Sequence, residues 1–134
     1  MKLLADSSAL LALVLRDDRN HAAARAFVRR NPSARFVLSE LILAEVVTRA
    51  RAWAGAAVAT ALGRDLLRSR RYELVFVDAE LVEGALARMT QYADKRLSLT
   101  DCASFELMER LGLDAAFTFD RDFRDCGLRA LPDG

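Results

Sequence analysis

Short apolar runs alternate along the chain with longer segments whose apolar residues recur at helical spacing. Runs this short and continuous are typical of strands that are buried on both faces of a sheet. Five strands are predicted, at residues 2–5, 36–38, 73–77, 115–119 and 128–131. Six helices are predicted between them, at residues 9–15, 21–30, 41–53, 55–70, 79–92 and from Ser98 or Thr100 to residue 111.

Start and stop residues flank several of these helices. Residues 6–8, with the sequence DSS, offer N-cap side chains to the first helix, and Ser39 caps the third. Gly112 is placed to close the last helix, because glycine accepts the left-handed backbone that commonly ends one.

The alternation of strands and helices predicts the fold class. No hairpin turn separates any two of the strands, so neighbouring strands are expected to run parallel. A parallel sheet needs helices on both faces. We therefore predict an α/β protein built as one domain over residues 1–134.

Amino-acid composition and net charge further restrict the class of protein. Hydrophobic residues make up 53% of the 134 residues and charged residues 29%, which is typical of a globular chain and not of a disordered one. There are 20 lysines and arginines against 19 acids, for a net charge of +1. A uniformly basic surface is thereby excluded, whereas a local basic patch is not.

Cysteine and histidine usage excludes other chemistries. Cys102 and Cys126 are too few for a disulfide framework and indicate reduced thiols. The single histidine, His21, excludes zinc sites that need two. Residues 6–8 interrupt the apolar N-terminal run, and no cleavage site follows. We expect no signal peptide, no membrane span and a cytoplasmic location.

Two aspartates follow predicted strands directly. Asp6 follows the first strand and Asp120 follows the fourth. Alone, each would be interpreted as a capping or turn residue. In a parallel sheet, however, both lie at the carboxyl edge, where binding sites collect.

Glu45 is a third candidate, because it lies inside the apolar run LILAEVV. Burying a carboxylate there is costly unless something compensates it. The alternative is a helical ion pair with Arg49, one turn later. Glu40 competes for the same site, but a first-turn acid is more simply explained by the helix dipole. Five residues turn the two side chains about 140° apart, so we choose Glu45.

Asp101 and Asp122 complete the set of acids. Asp101 lies in the first turn of the last predicted helix, and Asp122 in the string FDRDF offers a further ligand or a surface residue. Four acids at one edge would repel each other unless cations joined them. Oxygen ligands without histidine or cysteine favour Mg²⁺ or Mn²⁺, which can activate water for attack on a phosphodiester.

Four strings in this order resemble the PIN-domain nucleases, and most closely the VapC toxins of toxin–antitoxin pairs. The strings are LLADSSALLALVL, LSELILAEVVTRA, LSLTDCASFELMERLG and AAFTFDRDF. The resemblance implies a three-layer α/β/α sandwich with a short, mainly parallel five-stranded sheet. It also implies metal-dependent cleavage of RNA, a homodimer, and inhibition by a cognate antitoxin.

The resemblance assigns roles at matching positions. It places the catalytic and metal-binding acids at the residues reached above, namely Asp6, Glu45, Asp101 and Asp120. Ser8 matches a hydroxyl that supports the first aspartate, and Asp122 matches a frequent additional acid.

Two arginines near these acids are candidates for contacts to RNA. Arg49 and Arg121 are close in sequence to Glu45 and Asp120, and phosphate contacts would offset the acidity of the site. Other arginines form two clusters that are equally well explained as solvated surface, namely Arg29, Arg30 and Arg35, and Arg64, Arg68, Arg70 and Arg71.

Three other functions compete with a toxin nuclease. A phosphoacceptor domain has a similar fold, but it needs a pair of acids after the first strand and a late lysine, and no lysine follows Lys95. A PIN nuclease of RNA processing and a non-catalytic RNA- or protein-binding module both stay open. The small single domain favours the toxin.

Overall fold

The computed structural model describes residues 1–133, and the predicted single domain ends one residue beyond that range. The five strands are β1 (Lys2–Ala5), β2 (Arg35–Ser39), β3 (Tyr72–Val75), β4 (Ala116–Phe117) and β5 (Ala130–Leu131). The helices are α1 (Ser7–Val14), α2 (His21–Arg30), α3 (Glu40–Ala54), α4 (Ala56–Arg68), α5 (Ala79–Gln91), α6 (Leu99–Leu111) and α7 (Arg121–Asp125).

The strands form one sheet in the order β3-β2-β1-β4-β5, and all four pairings are parallel. The predicted α/β sandwich with a parallel five-stranded sheet is confirmed. The chain moves outward from β1 through β2 to β3 and then crosses back to β4 on the other side of β1. The gap between β1 and β4 is therefore the switch point at which parallel sheets bind ligands.

Alternate side chains of the strands divide the core into two layers. Leu3 and Phe36 point to one face and pack with α1 to α4, whereas Leu4 and Val37 point to the other and pack with α5 and α6. Both faces are buried, which explains why each strand is continuously apolar instead of alternating with polar residues.

Three strand predictions needed correction at their ends. The sequence predicted β3 at 73–77, but Val77 donates its N–H to the Glu40 carboxylate at 2.9 Å and so leaves the sheet. The strand predicted at 115–119 is shortened to the two residues of β4. Phe119 lies outside the sheet, because it donates its N–H to Ser8 Oγ. The strand predicted at 128–131 is reduced to β5.

Helix boundaries also differ from the prediction. Gly55 was predicted to begin a helix at 55–70, but it has φ +91° and separates α3 from α4. Glycine is the residue that accepts this backbone without strain. The short helix α7 was not predicted, because five residues are too few to show a periodic pattern. In the part of the chain that is described, no helix has the length and apolar character that crossing a bilayer would require.

Replacing Phe117 with alanine should destabilise the fold severely. Its ring is fully buried in β4, with centroids 5.0 Å from Phe27 and 5.3 Å from Phe36. We expect the free energy of unfolding, measured with urea, to fall by about 3–5 kcal/mol. Phe76→Ala is the matched control, since that ring is 70% exposed and its loss should cost within about 0.5 kcal/mol. Equal losses in the two variants would contradict this account of the core.

Candidate active site

The ends of β1 and β4 bring Asp6 and Asp120 to the switch point. Asp6 donates its N–H to the carbonyl oxygen of Phe117 at 3.0 Å, so the two strand ends are in register. Asp120 is the N-cap of α7, and its Oδ1 accepts the N–H of Asp122 at 2.9 Å. The local capping role and the position at the sheet edge therefore coincide in Asp120.

Two hydroxyl groups hold the Asp6 carboxylate. Its Oδ2 accepts hydrogen bonds from Ser8 Oγ at 2.7 Å and from Thr118 Oγ1 at 2.8 Å. Asp6 occupies the N-cap position of α1, but its side chain makes no capping hydrogen bond, so that part of the prediction was wrong. The carboxylate binds the two hydroxyls instead, and one of them, on Thr118, directly follows the neighbouring strand β4.

Burial makes the Asp6 carboxyl group a weaker acid. The pKa of Asp6 is raised from the ordinary value of 3.8 to about 6, chiefly because the carboxylate is removed from water, and the charges of Asp101 and Asp120 act in the same direction. The hydrogen bonds from Ser8 and Thr118 act in the opposite direction and lower the pKa. A cation would favour the charged form, since opposite charges stabilise each other in a buried site.

Asp101 combines a structural bond with a place in the acidic site. Its Oδ2 accepts the N–H of Ser98 at 3.1 Å while its own N–H donates to Ser98 Oγ at 3.0 Å, which forms a capping box at the start of α6. Burial raises the pKa of Asp101, and the charges of Asp120 and Glu45 raise it further against the bonds from Ser98.

Three carboxylates converge into what we call the acidic trio, formed by Asp101, Asp120 and Asp122. Each contributes one oxygen to a group whose members all lie within 4.8 Å of one another. Partial burial, followed by the charges of Asp120 and Asp101, raises the pKa of Asp122. Such a group of half-buried oxygens suits a hard divalent cation, which would also relieve the repulsion between them.

Glu45 lies beside the trio and is not one of its members. Ser7 donates its hydroxyl to Glu45 Oε1, and Arg49 Nη2 lies 3.6 Å from the same oxygen. The predicted alternative, an ion pair one turn apart, therefore exists. Glu45 nevertheless influences the site, because its charge contributes to the raised pKa of Asp101.

Glu40 lies in the first turn of α3, as predicted, but it has a specific partner. Its carboxylate accepts the N–H of Val77, and this bond ties the start of α3 to the segment after β3. The structure thus gives the two competing glutamates different neighbours.

Thr118 is the residue that sequence reasoning missed. It is 2% exposed, and its hydroxyl contacts the Asp6 carboxylate, Ser8 Oγ at 3.2 Å and the N–H of Asp120 at 3.0 Å. A hydroxyl two residues before a strand-end aspartate was the available indication. The hydrogen bond from the Ser7 hydroxyl to Glu45 was missed in the same way.

An apolar cavity adjoins the trio at Asp120. It is lined by Leu11, Trp53 and Phe119, together with Arg19 and Arg49. Trp53 is 69% exposed.

Arg71 of the predicted basic clusters has a structural role, since its guanidinium donates to the carbonyl oxygens of Ala34 and Asn31.

The raised pKa of Asp6 predicts a pH-dependent stability. The folded state binds a proton more tightly than the unfolded state, so the contribution of Asp6 to stability falls as pH rises from about 4 to 6. With a chelator present, Asp6→Asn should exceed the parent protein in unfolding free energy by about 3 kcal/mol near pH 8 and by much less near pH 4.

The measurement is urea unfolding of both proteins across that range. Asp114→Asn is the control, because Asp114 is exposed at the opposite edge of the sheet, before β4. A difference between Asp6→Asn and the parent that stays constant with pH would refute the assignment of the raised pKa to Asp6.

Comparisons with known proteins agree with this geometry. The family model described as PIN domain matches residues 3–127. The structure is similar to that of VapC20 from Mycobacterium tuberculosis, described as a sarcin-ricin loop cleaving toxin, with a TM-score of 0.87, 25% identity, and coverage of 94% of this chain and 95% of that one.

A second solved structure shares the fold at lower identity. It is VapBC2 from Rickettsia felis bound to a DNA fragment from their promoter, with a TM-score of 0.70, 12% identity and 97% coverage of each chain. None of the curated proteins matches this chain by sequence. The family expected from the four sequence strings is confirmed, and the chain belongs to the PIN domain family.

Proposed function

We propose that this chain is a metal-dependent endoribonuclease and the toxin of a toxin–antitoxin pair. The observation that supports this most directly is the acidic trio beside the buried Asp6 carboxylate, at the switch point of a parallel sheet. The similarity over 94% of the chain to a toxin described as cleaving the sarcin-ricin loop supports the same conclusion.

The donor set fits Mg²⁺ or Mn²⁺. The metal-binding residues in this proposal are Asp6, Glu45, Asp101 and Asp120, with Asp122 as an additional ligand from the trio. All offer carboxylate oxygens, which are the donors that these hard ions prefer. An ion bound there would lower the pKa of a water molecule and offset the charge that develops on the phosphodiester.

The remaining residues hold these acids in place. Ser8 and Thr118 orient Asp6. Ser98 donates its N–H to Oδ2 of Asp101, whose carboxylate also belongs to the trio. Such supporting bonds fix ligands in the geometry that an ion requires. Arg49 and Arg121, both exposed next to acids of the site, are proposed to contact phosphates of the RNA.

The proposed partners are RNA, a cognate antitoxin and a second copy of the chain. An apolar face at α1, α3 and α4 supports a protein partner, since Val14, Trp53 and Val58 are exposed there. The two cysteines are free thiols, which agrees with the proposed cytoplasmic location.

Purified protein, freed of any antitoxin, should cut cellular RNA at discrete sites in Mg²⁺ or Mn²⁺. Cleavage should stop in EDTA and fall about 100-fold or more in Asp101→Asn, since losing a ligand costs at least as much as losing a supporting residue. Asp114→Asn repeats the same chemical change away from the site and should cut like the parent. Gel analysis of the RNA gives the readout.

Equal cutting by Asp101→Asn and the parent would reject the assigned site. Cutting that persists in EDTA would reject the metal-dependent mechanism. Absence of cutting in every tube, with tight Mn²⁺ binding by calorimetry, would favour a module that binds RNA without hydrolysing it.

Thr118→Val should weaken metal binding although Thr118 is not itself a proposed ligand. The change removes the hydrogen bond to Asp6 and leaves the N–H of Asp120 without its hydroxyl acceptor. We expect Mn²⁺ affinity, measured by calorimetry, to fall about 10- to 100-fold. The control is Thr90→Val on the exposed surface of α5. Unchanged affinity in Thr118→Val would show that the hydroxyl does not position Asp6.

A further inference from the structure

A basic cavity adjoins the apolar one at Arg19 and Asp120, which line both. It has a volume of about 380 Å³, and four arginine side chains line it together with Asp120 and Thr118. The four are Arg19, Arg30, Arg121 and Arg124. They come from three places in the chain: the loop between α1 and α2, the end of α2, and α7. The fold therefore gathers positive charge at one acid of the trio.

In the described part of the chain, three of the four arginines of this cavity form no ion pair with a neighbouring acid, and the four arginines outnumber the two aspartates that line it. Among residues 1–133, no carboxylate oxygen lies within 4.0 Å of the guanidinium groups of Arg19, Arg30 or Arg121. Asp133 also lines the cavity, but at a greater distance than an ion pair requires. Guanidinium groups that surround a cavity and have no ion-pair partner attract an anion with several acceptor oxygens.

Arg124 is held in the cavity wall by the backbone. Its Nη2 donates to the carbonyl oxygens of Ala130 at 3.2 Å and Pro132 at 3.1 Å. Carbonyl groups fix the position of the guanidinium and leave its charge in place. This arrangement reduces the entropy that the side chain would lose on binding an anion.

We infer that this cavity binds a backbone phosphate of the RNA next to the phosphodiester held at the acidic trio. The inference rests on the proposed nuclease function and adds Arg19, Arg30 and Arg124 to the residues that position the substrate. An RNA strand carries a phosphate at every nucleotide, so a strand seated at the trio must place its next phosphate nearby. The cavity shares Asp120 with the trio and therefore adjoins it.

Phosphate contacts carry no sequence information, so the test needs no knowledge of the natural target. The probe is a fluorescein-labelled, mixed-sequence single-stranded RNA, bound in Mg²⁺ to the Asp101→Asn protein, in which cleavage is suppressed. Fluorescence anisotropy gives Kd at several salt concentrations. The test variant adds Arg19→Gln and Arg30→Gln, both at exposed positions where folding is not at risk.

The matched control adds Arg35→Gln and Arg64→Gln, which remove the same charge from exposed positions outside the cavity. We expect the cavity variant to bind RNA about 10-fold or more weakly and to lose about 0.7 from the slope of log affinity against log salt. The control should change neither value to that extent. Equal effects in the two variants would overturn the inference, because general electrostatics would then explain both.

The outcome separates this inference from the proposed function. RNA binding that depends on the cavity, in a protein that never cuts RNA, supports the inference and rejects the nuclease. Cleavage by the parent with no selective effect of the cavity arginines does the reverse. A poly-glutamate peptide is titrated against the same proteins. If the peptide depends on the cavity and the RNA does not, the site belongs to an acidic protein segment and the inference is wrong.

Discussion

The structure of the site depends on holding the carboxylate of Asp6 in a buried position at the end of the central strand. Burial penalises the charge, and two hydroxyls compensate it only in part, so the pKa stays near 6. The fold keeps this costly group at the gap between β1 and β4, where the acidic trio adds further negative charge. A protein without a cation at this site would gain stability by losing the carboxylate. A divalent ion supplies the physical reason to keep it.

The sheet and the strand-end acids were predictable because they follow from local rules. Continuous apolar runs without hairpin turns indicate a parallel sheet, and the parallel order places residues after β1 and β4 at one edge. Asp6 and Asp120 could therefore be placed together although they are 114 residues apart. Asp101 could be placed in a first helical turn, but only the tertiary structure shows that α6 directs it towards Asp120.

What could not be predicted depends on contacts between distant segments. Thr118 resembles any strand residue until its hydroxyl is seen to meet Asp6 and the N–H of Asp120. Glu40 matched the helix-dipole explanation, yet its partner is the backbone of Val77 in a segment taken for strand. The basic cavity draws on a loop, a helix end and α7, and its arginines fall in no single cluster of the sequence. Periodicity describes one element at a time, whereas these features exist only between elements.

The bond between Asp6 and Thr118 joins positions separated by 112 residues, and this has a consequence for protein synthesis. A ribosome that has completed β3 has already made Asp6 and Glu45, but neither α6 nor β4 exists yet. The nascent chain therefore lacks all three members of the acidic trio and one of the two hydroxyls that hold Asp6. Chain order thus delays assembly of the acidic site until translation has passed α7. For the endoribonuclease proposed above, this order means that the ribosome is not exposed to a complete acidic site on the chain it is making during most of elongation.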